Sequence, residues 1–357
     1  MNTQTLAAPG FSNPSLIDRL VDAGLMPDWL VRLGIRRLLR QRLRDEFAGG
    51  PDAVWKRQRR LWQRLDLGPV AEQVQLANDQ HYEVPPGFFE RVLGPRLKYS
   101  SGLWEAGTES LGQAERAMLE LTCVRAELED GQRILELGCG WGSLTLWMAE
   151  HYPQAQITAV SNSADQRAFI LERAARQGFR NLDVITADMN DFAPTRTGFE
   201  RVVSVEMFEH MRNHRELMRR IAGWLRPGGK LFVHLFSHRE VTYLFEPRDA
   251  SDWMSREFFS GGVMPADALL LRHQADLRLE SHWRVGGEHY RKTAEAWLAN
   301  LEEHRRELTR LFAGEYGPEQ APARLQRWRV FFMACAELWG FRGGSEWFVS
   351  QYRFVRR

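Results

Sequence analysis

Residues 134–142, reading ILELGCGWG, constrain this chain more than any other stretch. Ile134 and Leu135 suit a strand buried on both faces, as in a parallel sheet. Gly138, Gly140 and Gly142 then let the backbone turn sharply and come bare against a ligand. Ser143 and the following LTLWMAEHY read as a helix. The sum is a strand, a glycine turn and a helix, the arrangement of a nucleotide-binding site.

The spacing is G-x-G-x-G, whereas dinucleotide folds that wrap a pyrophosphate use G-x-G-x-x-G. Glu136, at the end of the strand, would repel a diphosphate yet suit an ammonium or a sulfonium. S-adenosylmethionine (SAM) is therefore favoured over NAD. The bland alternative is an ordinary glycine-rich strand-to-helix turn.

With 357 residues, 44% of them hydrophobic and 26% charged, and a formal charge of +2, the chain can hold a large core and has no global field to recruit nucleic acid. Cys123, Cys139 and Cys335 are too scattered for a disulfide framework or a zinc site, so a reducing, cytoplasmic setting is expected. No apolar run nears the ~20 residues that span a bilayer, and MNTQTLAAPGFSNPS lacks a signal-peptide pattern. Residues 11–66 nevertheless hold 12 Lys and Arg against 7 Asp and Glu. There, Val31, Ile35, Leu38, Leu39 and Leu43 fall at helical spacing among arginines. Such a helix could lie peripherally on an anionic membrane with its apolar stripe in the lipid, or pack on its own domain with a solvated arginine face.

From residue 133 onward, apolar runs alternate with helical patterns. Strands are expected at 133–137, 156–161, 183–188, 199–208 and 230–238, with helices at 143–151, 163–177 and 213–225, the last stopped by Arg226-Pro227-Gly228-Gly229. This predicts an α/β fold with a doubly wound sheet and ligands at the carboxyl ends of its strands. A further strand is expected at 277–285, two long Trp-rich helices over 288–340, and a closing strand that pairs antiparallel. The expected division is a helical extension (1–80), a helical cap over the cofactor (81–130), a core (131–287), a helical substrate-pocket insertion (288–344) and a last core strand (345–357).

Strand four runs into Glu206-Met207-Phe208-Glu209-His210, two carboxylates and an imidazole where the sheet delivers its ligands. Methyl transfer from a sulfonium needs alignment, and an attacking amine must also shed a proton. Glu209 and His210 could take it, while Glu206 could hold a substrate cation or orient His210. A helix cap is the structural alternative. His210 and His214, four apart, have a spacing that can hold a metal, but no third ligand is evident and none is expected. Ser161, Asn162, Ser163 and Gln166 follow strand two, where ribose hydroxyls are usually met. Asp188, with the Met189 backbone beside it, could take the adenine amino group, or cap a turn as Asp often does. Trp297, Trp328 and Trp339 could wall an amine pocket by cation–π contact, although core packing is the commoner use.

These residues resemble the cyclopropane-fatty-acid synthase and mycolic acid cyclopropane synthase group of SAM-dependent methyltransferases, through HYEVPPGFF, LKYSSGLWE, LELGCGWGS, EMFEHM, WLRPGG, FFSGGVMP, HYRKTAEAW, AELWGF and EWFVSQYRF. Within the group the likeness is greatest to the coclaurine N-methyltransferase branch. The resemblance implies a class I, Rossmann-like methyltransferase fold with Tyr99, Ser100, Gly138, Gly140, Asn162, Gln166, Asp188 and Met189 around the cofactor. Glu206, Glu209 and His210 match the catalytic segment of the amine enzymes. The lipid enzymes hold a bicarbonate base with a cysteine, a glutamate, a histidine and a tyrosine. Glu209, His234 and Tyr290 match three of these, and Ser101 stands at the cysteine position, where its amide and hydroxyl could still donate to an anion. At position 206 the lipid enzymes usually carry glycine, and a carboxylate there suits a cationic substrate. The expectation is N-methylation of a small aromatic amine. The alternative is methyl or methylene transfer to an unsaturated fatty acyl phospholipid at a membrane surface. A homodimer is also expected.

Overall fold

The computed structural model describes residues 20–72, 84–246 and 261–357. Parts of two motifs, residues 81–83 of HYEVPPGFF and 258–260 of FFSGGVMP, lie outside the described residues.

The centre is a seven-stranded sheet. Its strands are β1 (Arg133–Leu137), β2 (Gln156–Ser161), β3 (Leu182–Thr186), β4 (Phe199–Val205), β5 (Leu225–His238), β8 (Leu277–Val285) and β9 (Trp347–Arg356). The order is β3-β2-β1-β4-β5-β9-β8. The first five are parallel, while β9 runs antiparallel between β5 and β8. A two-stranded ribbon, β6 (Tyr243–Leu244) with β7 (Val263–Met264), lies apart from it. The α/β class, the doubly wound sheet and the antiparallel closure are as the sequence predicted.

Both faces of the sheet are covered, which is why its strands read as continuous apolar runs. Ile134, Val203 and Phe232 pack on one face against Met148 of α5 (Ser143–His151) and Cys123 of α4 (Leu111–Ala126). Leu135, Val202 and Val233, one residue out of phase, pack on the other against Leu217 and Ile221 of α7 (His214–Trp224). α4 begins in a capping box, Ser110 Oγ accepting from Gln113 N while the Gln113 side chain accepts from Ser110 N. α6 (Ala164–Gln177) is capped by Ser163, which accepts from Gln166 N at 3.3 Å.

Three helices, not two, lie between β8 and β9: α8 (Gly287–Glu303), α9 (Arg305–Tyr316) and α10 (Ala321–Trp339). The run of helix formers around His304 hid the first break, for neither Gly nor Pro marks it. Trp297, Trp328 and Trp339 are 1%, 5% and 3% exposed and belong to the aromatic core, not to a pocket wall. β5 starts at Leu225, ahead of the Pro-Gly-Gly turn expected to precede it, and takes up the irregularity as a shift in register against β4.

The basic N-terminal segment forms α1 (Asp28–Glu46), followed by α2 (Gly50–Leu67) and α3 (Pro86–Val92). Of its expected lipid-facing stripe, Val31 and Leu43 are buried and Ile35 and Leu39 pack beside the core, while Leu38 is exposed, as are Trp29, Leu30 and Leu33 of the same helix. Arg32 donates to Glu295 of α8 at 2.7 Å and to Glu337 of α10 at 3.1 Å. α1 is thus a packed helix clamped by ion pairs. Among the described residues, no helix is long and apolar enough to cross a membrane.

Candidate active site

One pocket runs along the carboxyl ends of β1 to β4, and its two halves differ in chemistry. The first follows the glycine turn. Gly138 has φ +81°, and a Cβ there would stand 2.6 Å from the Cβ of Met207, so glycine is needed for both conformation and space. The turn therefore packs directly on the segment that follows β4. Glu136, 2% exposed, accepts from Thr145 Oγ1 at 2.5 Å, and burial pushes its carboxyl up to about 7. At the end of β2, Ser161 Oγ donates to Gln166 Oε1 at 2.7 Å, which leaves Gln166 Nε2 buried without a partner. Ser143 Oγ is likewise orphaned. Tyr99, Ser100, Glu136, Gly138, Gly140, Asn162, Gln166 and Met189 all line this half. Orphan donors facing a bare glycine backbone fit a ligand rich in acceptors, such as the nucleoside and amino acid parts of SAM.

Two predicted cofactor residues stand back from it. Gly142, φ +82°, is pressed against Ile170 and shapes the turn. Asp188 accepts from Asn190 N at 2.8 Å, so its side chain caps a turn between the lining residues Ala187 and Met189.

The second half is built by strand register. Parallel pairing sets Val205 beside His234, and antiparallel pairing sets His234 beside Gln351. Glu206 follows immediately, with φ +49°, a left-handed conformation that costs a side-chain-bearing residue ~1 kcal/mol or more and that glycine would take freely. Its Oε1 accepts from Ser101 N at 3.2 Å and His234 Nε2 at 3.3 Å, and its Oε2 from the Tyr290 hydroxyl at 2.6 Å. Arg125 donates to Gln351 Oε1 at 2.6 Å, which turns the amide so that Nε2 donates to His234 Nδ1 at 3.0 Å. The His234 proton is thereby on Nε2, aimed at Glu206. Burial lowers the His234 pKa, so the ring is neutral. Tyr290 is held by stacking on Trp339, centroids 4.6 Å apart and planes 2° from parallel.

Ser101, His234 and Tyr290 do converge, but on a carboxylate the chain supplies itself. The Ser101 hydroxyl donates elsewhere, to Gly102 O. A bicarbonate does not fit this set, because its donors are spent and a second anion would face Glu206. Glu209 stands behind the pocket, with its Oε2 buried and without a hydrogen-bond partner. It is 1% exposed, accepts from Phe236 N at 2.6 Å and does not line the pocket. Burial, and then the Glu206 charge, hold its carboxyl protonated, well above the usual range. His210 does line the pocket, and burial lowers it to about 4, leaving a neutral imidazole. It sits in a single 3-10 turn, Phe208–His210, while His214 starts α7 with Nε2 bonded to Phe208 O at 2.9 Å. The two histidines are therefore not one helical pair, and among the described residues no group of His, Cys, Asp or Glu is placed to hold a metal.

Sequence reasoning passed over Lys98, and also Ala71, Glu72, Gly261 and Gly262, which line the mouth beside Met211. Ala71 arrives there by a backbone bridge to Met211, a contact between distant segments with no sequence signal. Lys98 sat in plain view in LKYSSGLWE, but nothing in its immediate neighbours signals that it is buried.

The family model described as mycolic acid cyclopropane synthetase matches residues 71–345. (S)-Coclaurine N-methyltransferase of Thalictrum flavum subsp. glaucum is 33% identical over 345 residues, 94% of this chain and 94% of that protein. The crystal structure of coclaurine N-methyltransferase bound to N-methylheliamine and SAH has a TM-score of 0.91 at 32% identity, covering 95% of this chain and 98% of that one. Cyclopropane-fatty-acyl-phospholipid synthase of Escherichia coli (strain K12) is 28% identical over 224 residues, 62% of this chain and 55% of that protein. With its glycine turn, its sheet and its pocket in place, the chain belongs to the mycolic acid cyclopropane synthetase family and is a SAM-dependent methyltransferase.

Proposed function

We propose that this enzyme N-methylates a small, aromatic, benzylisoquinoline-like amine. The observation that carries the reading is the Glu206 carboxylate, fixed by three donors at the end of β4 and lining the same pocket as the cofactor residues. When bound, SAM supplies an electrophilic methyl on a sulfonium. Glu206 draws the cationic amine in and orients it, since an anion in a partly desolvated pocket favours a cation over an alkene. His210, neutral and beside the same pocket, receives the proton that the amine must lose. Glu209, protonated behind them, keeps a second negative charge away from Glu206 and tightens the turn through Phe236. Relatives named for coclaurine methylation support the substrate class. The three buried, unpaired cysteines support a reducing, cytoplasmic location.

The test supplies methyl-labelled SAM with a panel of benzylisoquinoline-type amines, and separately with unsaturated phospholipid vesicles. Label is expected in the amines. Label confined to lipid would overturn the proposal.

A further inference from the structure

Arg212 is a buried guanidinium that takes no part in the chemistry above. It is 2% exposed, continues the segment that carries Glu206 and His210, and does not itself line the pocket. Taking such a charge out of water is costly, so its partners matter.

Those partners belong to two distant segments that line the pocket mouth. Arg212 N donates to Val70 O at 2.7 Å, and its Nε donates to Gly261 O at 2.7 Å. The same Nε lies 3.8 Å from Glu72 Oε2, its one ion pair among the described residues. Each segment is also anchored separately. Ala71 bridges Met211, its N donates to Asn190 Oδ1 at 3.0 Å, and its O accepts from Asn190 Nδ2 at 3.1 Å. Just upstream, Asn213 Nδ2 donates to Asp66 O and Gly68 O at 3.1 and 2.8 Å. In the second segment, Gly262 O accepts from Phe245 N at 3.0 Å, which seats the loop on the β6–β7 ribbon. Gly261 has φ +82°, a backbone that glycine takes freely, so this loop offers main chain to the pocket. Arg212 bonds to both segments, and does so from the stretch that holds the reacting groups.

The mouth that results is lined by Met207, Met211, Ala71, Gly261 and Gly262, apolar side chains and bare backbone. Walls of that kind recognise a flat apolar body by shape, so their separation decides what enters. We propose that Arg212 is a positioning residue that determines specificity: it holds residues 70–72 and 261–262 against Met211 and so sets the width of the slot that admits the methyl acceptor. The inference rests on the amine reading of that acceptor.

The test measures methyl transfer from SAM to secondary aromatic amines that share one ring system and carry substituents of increasing bulk beside the nitrogen. The wild type is expected to favour the smaller amines. Arg212→Met, which keeps an unbranched side chain and removes the donors, should raise KM for them by roughly 10-fold and leave kcat within about 2-fold. The ratio of kcat/KM for small over bulky amines should fall by about 10-fold, while calorimetry shows S-adenosylhomocysteine bound within about 2-fold of wild type. Arg212→Lys, which keeps the charge toward Glu72 and loses the planar fork, should recover part of the ratio. Should Arg212→Met not fold, Glu72→Gln releases one of the two segments and should lower the same ratio by about 2- to 5-fold, the worth of a partly exposed ion pair. An unchanged ratio, including an equal loss on every amine, would overturn the proposal. Methylation of no amine by the wild type would instead break the acceptor assignment, and this inference with it.

Discussion

The two halves of the pocket solve opposite problems. The half at β1 to β3 is unfinished: Gln166 Nε2 and Ser143 Oγ are buried donors without partners, and the backbone at the glycine turn is bare. The half at β4 and β5 is already complete, with three donors on Glu206 and a relay from Arg125 through Gln351 and His234 behind it. The first binds a ligand present in every turnover and can leave its hydrogen bonds to that ligand. The second must receive an acceptor in one orientation, so its charge is fixed in advance. Preorganisation is thus spent where the reacting atoms vary.

That contrast predicts separable losses. Glu206→Gln should lower turnover by at least ~100-fold, the range for general acid–base and charge contributions, with S-adenosylhomocysteine affinity little changed. Gln166→Leu should do the reverse, weakening the cofactor by about 10-fold while turnover at saturation survives. Steady-state kinetics beside calorimetry reads both, and cofactor loss in Glu206→Gln would erase the distinction between the halves.

Gly138 is where the halves touch, and Gly138→Ala should damage both. The new methyl meets Met207 at 2.6 Å and the backbone is at positive φ, so a stability loss of about 2 kcal/mol is expected. Denaturant unfolding, with turnover and cofactor affinity measured together, checks it. A change in one activity alone would mean that the turn and the Met207 segment adjust independently.

The smallest effect concerns Glu209. Its folded pKa is raised by burial and by Glu206, so the stability it contributes is full below the ordinary carboxylate pKa, about 4.3. That contribution falls as pH rises, because the unfolded chain releases a proton the folded chain keeps. Between pH 5 and 8 the wild type should therefore lose more stability than Glu209→Gln does, by about 1 kcal/mol or more. Urea unfolding at both pH values tests it, and parallel losses would show that Glu209 is ionised in the fold.

The glycine half was the more legible from sequence, since Gly138, Gly140, Ser163 and Gln166 work through local turns and caps whose residue choice is dictated by φ and by N-terminal amides. The acceptor half was read by composition more than by arrangement. EMFEH offered two carboxylates and an imidazole as equals, whereas the fold fixes Glu206 with three donors, sets His210 on the pocket as a neutral imidazole and buries Glu209 behind it. The basic helix was ambiguous for the same reason: a stripe of Val, Ile and Leu is apolar whether it meets lipid or protein, and the partners Glu295 and Glu337 lie more than 250 positions away in the chain.

Local chemistry in the sequence determined the strand, glycine turn and helix of the cofactor site, the alternation that builds a doubly wound sheet, and the preference for a sulfonium over a diphosphate. Those follow from backbone sterics and from periodic burial, which act over a few residues. Only the tertiary structure decided which charges survive. Parallel and antiparallel register brought Val205, His234 and Gln351 into one row, closed three donors on Glu206 in place of an added bicarbonate, and left Lys98 buried in the same pocket with no ion pair among the described residues. Desolvation and hydrogen-bond geometry set those outcomes, and both belong to neighbours that are distant in the chain.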